Sequence, residues 1–288
     1  MALGGSRVMQ QRRLRAELRR LRESAGYTQK AAAAELDWST SKIIRIETGA
    51  STVSSADVRA MLQFYGINDS AKTGDLIAMA RAKEEAAWWD EYKSNYRQEF
   101  LEYLAYEDSA TRIRQFISFV IPGLLQTDEF MRAFFTGYKE STEWIERSVK
   151  VRTRRQLALT PEQGRKALFI IDESALHRWI GGAEVARRQF DHLRQMAKQP
   201  NVDIRIVPFS LGMHPGMRAS FTILDFAAHD EDTIVSVENP EQDLLVKDNA
   251  DSTSKYLEIF EQLEEIATPA DEIDAALDAV LDRMQLAP

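Results

Sequence analysis

Between Ser39 and Arg45 the chain gathers three hydroxyls and two cations: Ser39, Thr40, Ser41, Lys42 and Arg45. Hydroxyls donate to and accept from base edges, and an arginine fork matches the two acceptors of guanine. Together they offer hydrogen-bonded reading of a duplex major groove, provided a helix carries them outward at its start. In that arrangement Thr40, Ser41 and Arg45 reach base edges, while Gln29 and Lys42 fix the register on the sugar–phosphate backbone. Pairs of Ala-rich helices also occur in plain bundles, so these residues alone leave both readings open.

Elsewhere the chemistry is sparse. The four histidines, His177, His192, His214 and His229, match no metal spacing, and no Ser–His–Asp, Walker or Gly-rich phosphate pattern occurs. The absence of cysteine excludes disulfides and thiolate ligation. Asp172 and Glu173 read more simply as a helix start that answers the dipole than as a catalytic pair. His214-Pro215-Gly216 lies in a Gly/Pro-rich turn, Leu211 to Met217, that can border a site. The expectation is therefore no enzyme, no catalytic residue, no metal and no cofactor.

The elements that must position the hydroxyl-and-cation tip are short helices. Leu14, Leu18 and Leu21 share a face over about Gln11–Ala25, whose other side carries Arg12, Arg13, Arg15, Arg19, Arg20 and Arg22. Those arginines either touch phosphates or form a solvated face. Thr28 caps an Ala-rich helix, and Ser39 caps the next, which stops at Gly49. Ala33, Leu36, Ile43 and Ile46 point inward. Ser54 with Asp57 forms a capping-box-like start for Ser54–Tyr65, and a fifth helix runs from Asn68 or Asp69 to Arg81.

Beyond this, Trp88, Tyr92, Tyr96 and Phe100 sit four apart and predict a packing stripe on a helical connector. Leu101–Val120 continues helical, Thr127 starts a helix after Pro122-Gly123, and Ser141–Leu159 carries Arg147, Arg152, Arg154 and Arg155. That basic run reads as internal pairing or a solvated face ahead of a second DNA contact. Strands are expected only after Gly164: Ala167–Ile171, Val202–Val207, Phe221–Phe226 and Thr233–Val237, the last two a hairpin across Ala227–Asp232. Helices Ala183–Lys198, Ser254–Ile266 and Pro269–Met284 complete the set, with Thr268 capping the last. The fold class expected is mainly α with a smaller α+β part: a five-helix domain over 1–80, a connector over 81–110, and a helical and antiparallel-sheet domain over 111–288.

The chain has 288 residues and net charge −8. Residues 1–60 hold 11 of the 37 Lys and Arg but 6 of the 45 Asp and Glu, a balance of +5; the other 26 basic and 39 acidic residues carry −13. A basic head on an acidic body confines nucleic-acid contact to one end. No run of about 18 apolar residues and no charged-then-apolar leader occurs, so a cytoplasmic protein without membrane contact is expected.

Thr28-Gln29 followed by Ser39-Thr40-Ser41-Lys42-Ile43-Ile44-Arg45-Ile46-Glu47-Thr48-Gly49 closely resembles the Xre-type (lambda-repressor-like) helix-turn-helix. Asp37 stands at the turn position where that family usually has glycine. The resemblance implies DNA binding by the helix from Ser39, homodimers on an inverted repeat, and an ion pair between Arg22 and Glu47. Truncating either partner of that pair should cost on the order of 3 kcal/mol.

A second resemblance rests on Arg112…Phe116, Val120-Ile121-Pro122-Gly123-Leu124-Leu125-Gln126-Thr127, Arg152…Arg155-Gln156, Asp172-Glu173-Ser174-Ala175-Leu176, Ile206-Val207-Pro208-Phe209 and Phe221–Phe226. In this order they resemble the C-terminal domain of WhiJ-like regulators, also described as antitoxin-like. This implies a bacterial transcriptional regulator, often working with a very small acidic partner protein. A small-molecule effector, a partner protein and dimerisation all remain open for this half. The alternative function is an antitoxin-like protein that holds a small partner and autoregulates its operon.

Overall fold

A computed structural model describes residues 7–81, 87–226, 233–239, 244–246 and 250–285. Two compact units divide it, Met1–Tyr96 and Arg97–Pro288.

The N-terminal unit is built from α1 (Arg7–Ser24), α2 (Gln29–Glu35), α3 (Thr40–Thr48), α4 (Ser55–Phe64) and α5 (Ser70–Arg81). Each short helix starts at a side-chain cap: Thr28 accepts from Ala31 N, Ser39 from Lys42 N, and Ser54 exchanges bonds with Asp57 in a full capping box. Asp69 accepts from the amides of Ala71 and Lys72 in the same way. Between α2 and α3, Asp37 takes φ +54°, the left-handed turn expected of it without a glycine. Gly49 ends α3 at φ +80°. Leu14, Leu18, Ala33, Ile43, Ile46, Val58 and Leu62 close into one buried core, with Leu36 partly buried at its edge.

The aromatic stripe predicted on one connecting helix is broken. Trp88 and Trp89 lie in a turn, Asp90–Tyr92 is a 3-10 turn, and α6 (Gln98–Ser109) begins only after Arg97. The rings pair locally instead: Trp88 edge-on to Trp89, Tyr92 to Tyr96, and Phe100 stacked on Tyr103. The charged stretch Lys83-Glu84-Glu85 lies outside the described residues.

In the C-terminal unit the fold class holds, mainly helical with a smaller sheet, but four details differ. The sheet has six strands among the described residues, in the order β3-β2-β1-β4-β5-β6. They are β1 (Arg112–Ile117), β2 (Lys166–Asp172), β3 (Val202–Val207), β4 (Phe221–Asp225), β5 (Ile234–Val237) and β6 (Leu244–Val246). The sheet is mixed rather than antiparallel: β1, β2 and β3 run parallel, while β4, β5 and β6 are antiparallel additions. The hairpin β4–β5 forms as expected, its link lying outside the described residues.

The reading of Leu101–Val120 as helix holds through Ser109, where α6 ends, and is corrected beyond it by strand β1. Arg112, Arg114 and Gln115 hide its alternation. Arg114 nonetheless sits within the sheet, because Asp225 on β4 accepts from its Nε at 2.9 Å and its Nη2 at 2.8 Å. This diagonal pair neutralises the charge where sequence pattern sees only polarity.

The crossovers carry α7 (Asp128–Gly137), α8 (Thr142–Gln156), the single turn α9 (Glu173–Leu176) and α10 (Ala183–Ala197). Two helices close the chain, α11 (Ala250–Ile266) and α12 (Ile273–Gln285). Phe116, Leu168, Ile170, Phe221, Ile223, Phe260 and Leu263 join one sheet face to α11; Phe169 and Ile171 point to the opposite face by strand alternation. Thr268 does not cap the last helix. It bonds to the edge of β3 instead, its amide donating to Ile206 O at 2.8 Å and its Oγ1 accepting from Ile206 N at 3.0 Å.

Candidate nucleic-acid interface

Helix α3 buries Ile43 and Ile46 and leaves Thr40, Ser41, Ile44, Arg45 and Thr48 exposed. At about 100° per residue these five occupy a continuous arc of about 140°. The tip is thus turned out to solvent. Ser39 is exposed as well, its hydroxyl oxygen occupied by the amide of Lys42 at 3.2 Å.

Two residues read as backbone contacts have protein partners. Gln29 Nε2 donates to Glu47 Oε2 at 2.8 Å. Lys42 Nζ lies 2.6 Å from Asp57 Oδ1 and 3.6 Å from the centroid of the Trp38 ring. Burial pushes the Asp57 carboxyl up, but the hydrogen bonds from Lys42 and Ser54 outweigh it and hold the group below its usual range. Lysine has three donors and the glutamine amide two, so each keeps a proton to offer outward, from a fixed position.

Beneath the tip lies a buried polar knot. Arg22 and Glu47 keep only 7% and 2% of their side chains exposed. Arg22 also donates to Tyr27 O at 2.7 Å, closing the end of α1. The hydrogen bond to Glu47 raises the Arg22 guanidinium above its ordinary value against the opposing pull of burial. Tyr65 borders the knot with a buried hydroxyl that finds no partner among the described residues. Burial, with the nearby Glu47 charge adding to it, pushes its phenol up to about 12.

The arginines of α1 are largely accounted for within the protein. Arg12 is buried, Arg19 pairs with Glu23, and Arg20 pairs with Glu17, which Lys72 also reaches. Arg15 lies against Gly49, where an added Cβ would fall 2.0 Å from its Nη1. Of the later basic run, Arg152 and Arg155 are turned inward, while Arg154 is exposed and Arg147 pairs along the helix surface. Arg155 forks onto Glu107 at 2.7 Å through both Nε and Nη2, Arg152 lies over the Phe135 ring and reaches Gln126, and Arg147 pairs with Glu143.

Asp172 caps α9 through Ser174 N, as the sequence indicates, but it also meets His214 Nε2 at 2.8 Å. Glu173 is buried and takes Phe209 N, His177 Nε2 and Arg283 together. These carboxylates therefore tie the His214 loop and α12 to the end of β2. The sequence held no sign of this, because the partners lie up to 110 residues apart. Burial lowers the pKa of His192, and His229 lies outside the described residues. Among the described residues no group of three His, Asp or Glu could hold a metal ion, and no helix is long and apolar enough to cross a membrane.

The N-terminal unit is a helix-turn-helix domain: residues 13–73, from α1 into α5, match that family. An outward α3 on such a scaffold defines a DNA-binding regulator. Residues 100–278 match a domain of unknown function, DUF5753, over more than half of the chain, and the chain belongs to that family. No curated protein matches it.

Proposed function

We propose that the protein is a cytoplasmic, sequence-specific transcriptional regulator of the Xre type that binds an inverted-repeat operator as a homodimer. One observation carries this: the exposed arc of α3, with Thr40, Ser41 and Arg45 free to face base edges. Arg45 forks onto a guanine, while Gln29 and Lys42 present pre-oriented donors to the backbone beside the Ser39 helix start. Half-site centres then lie about 34 Å apart or a multiple of it. Selection from a random-duplex pool by the full-length protein tests this. The expected outcome is an inverted repeat with that spacing; a pool that never enriches contradicts it.

In this reading the C-terminal unit is a WhiJ-like sensing half with no catalytic task. Asp172 and Glu173 spend their lone pairs on loop amides, histidines and Arg283, which supports a structural role. A second reading, an antitoxin-like protein holding a small partner, has its own support. Phe209, Leu211, Met213 and Met217 are exposed within one loop, Met213 to 88%, and Arg178 and Arg218 are exposed in the adjoining segments. Methionine-rich surfaces of this kind accommodate protein partners. Purification from the native cell separates the two, since a stoichiometric small protein favours the second.

A further inference from the structure

Helix α3 carries one large apolar side chain on its outer face. Ile44 is 40% exposed, in the same arc as Thr40, Ser41, Arg45 and Thr48, while Ile43 and Ile46 fill the core. Folding does not require isoleucine there. A β-branched residue is a poorer helix former than the Lys, Glu or Gln that an exposed position accepts freely. Isolated exposed apolar residues are common on protein surfaces, so exposure alone decides nothing. The neighbours decide it: Ile44 is flanked on its exposed arc by hydroxyls and a guanidinium that suit base edges. The one apolar feature a base pair shows in the major groove is the 5-methyl group of thymine.

We infer that Ile44 is a specificity-determining residue that packs against a thymine methyl in the major groove. The inference rests on the proposed DNA-reading role of α3 and extends it to a base that the hydroxyls and Arg45 do not select. Ile44 suits the task physically. Its branched Cβ holds χ1 in one rotamer on a helix, so the methyl contact orders little that is not already ordered. Thr48 Oγ1 donates back to Ile44 O at 2.8 Å, which turns that hydroxyl toward the backbone beside the isoleucine. Gln29 and Lys42 fix register, Ser41 and Arg45 read their base edges, and Ile44 discriminates thymine from cytosine, whose C5 bears only hydrogen.

The test changes the DNA without touching the protein. The full-length chain is titrated against its selected duplex and against duplexes in which single thymines are replaced by deoxyuridine, which removes only the methyl group. The expected result is about a fourfold loss at one thymine per half-site, the worth of one buried methyl. Ile44→Ala, folded by circular dichroism, should bind the thymine and uracil duplexes equally at that position while still preferring the selected duplex over a shuffled one. Two results overturn the inference while leaving DNA reading intact: indifference of the wild type to every uracil, or undiminished thymine preference in Ile44→Ala. A wild type that selects no sequence contradicts the groove-reading role, and the Ile44 assignment with it.

Discussion

Glu47 on α3 receives Arg22 of α1 in a two-pronged fork, Nε to Oε1 at 2.7 Å and Nη2 to Oε2 at 3.0 Å, with the Gln29 amide of α2 on the same carboxylate. Three helices thereby share one buried anion, and the angle at which α3 offers its outer face is set from below. Truncating Glu47 leaves a guanidinium and an amide unpaired in a dry site. Glu47→Ala should destabilise the N-terminal unit by about 3–5 kcal/mol. Urea unfolding followed by fluorescence measures this, and a loss below about 1 kcal/mol would show the fork to be ornamental.

Tyr65 is the weak point of that knot. Its hydroxyl is buried without a partner among the described residues, so Tyr65→Phe should leave stability unchanged or raise it. The folded phenol is raised to about 12 from an ordinary value of 10, so the folded state favours the neutral ring. Its contribution is complete below pH 10 and is lost as pH rises toward 12. Thermal melts across that range should fall for the wild type and fall less for Tyr65→Phe.

Asp57 shows the opposite sign. Its folded carboxyl is held low by Lys42 and Ser54, so the stabilisation is present above the unfolded value near 3.9 and fades as pH drops through the folded one. Asp57→Asn should therefore destabilise at pH 7 and converge with the wild type in acid. It also frees Lys42, so the mutant's DNA affinity becomes more salt-dependent.

Gly216 packs where no side chain fits: an added Cβ would sit 2.5 Å from ring carbons of the fully buried Phe116. Gly216→Ala should cost about 1–3 kcal/mol and loosen the His214 loop from the end of β2. Differential scanning calorimetry of the full chain should show the loss, and an unchanged transition would mean that the loop yields freely.

The helix-turn-helix was legible because its signals are local. Caps at Thr28, Ser39 and Ser54, the left-handed Asp37 and the spacing of Ile43 and Ile46 all act within a few residues. The mixed sheet was not, because its decisive interactions are distant. Arg114 reads as a helix-surface charge until Asp225, 111 residues on, is seen to neutralise it. Thr268 reads as a cap until it is seen hydrogen-bonded to Ile206 on the edge strand β3. Ile44 escaped notice for a different reason. Helical spacing keeps it out of the inward set with Ile43 and Ile46, but it does not offer an apolar residue as a groove contact, and only the packed structure shows Ile44 exposed among the polar readers.

The central claim, that the outer face of α3 reads sequence, is tested most directly with Arg45→Ala. The variant and the wild type are titrated against the selected duplex and a shuffled one at a single salt concentration. The expected result is a loss of about 1–3 kcal/mol on the selected duplex and almost none on the shuffled one. An equal loss on both would mean that Arg45 touches only phosphates, and no loss on either would place the reading surface elsewhere.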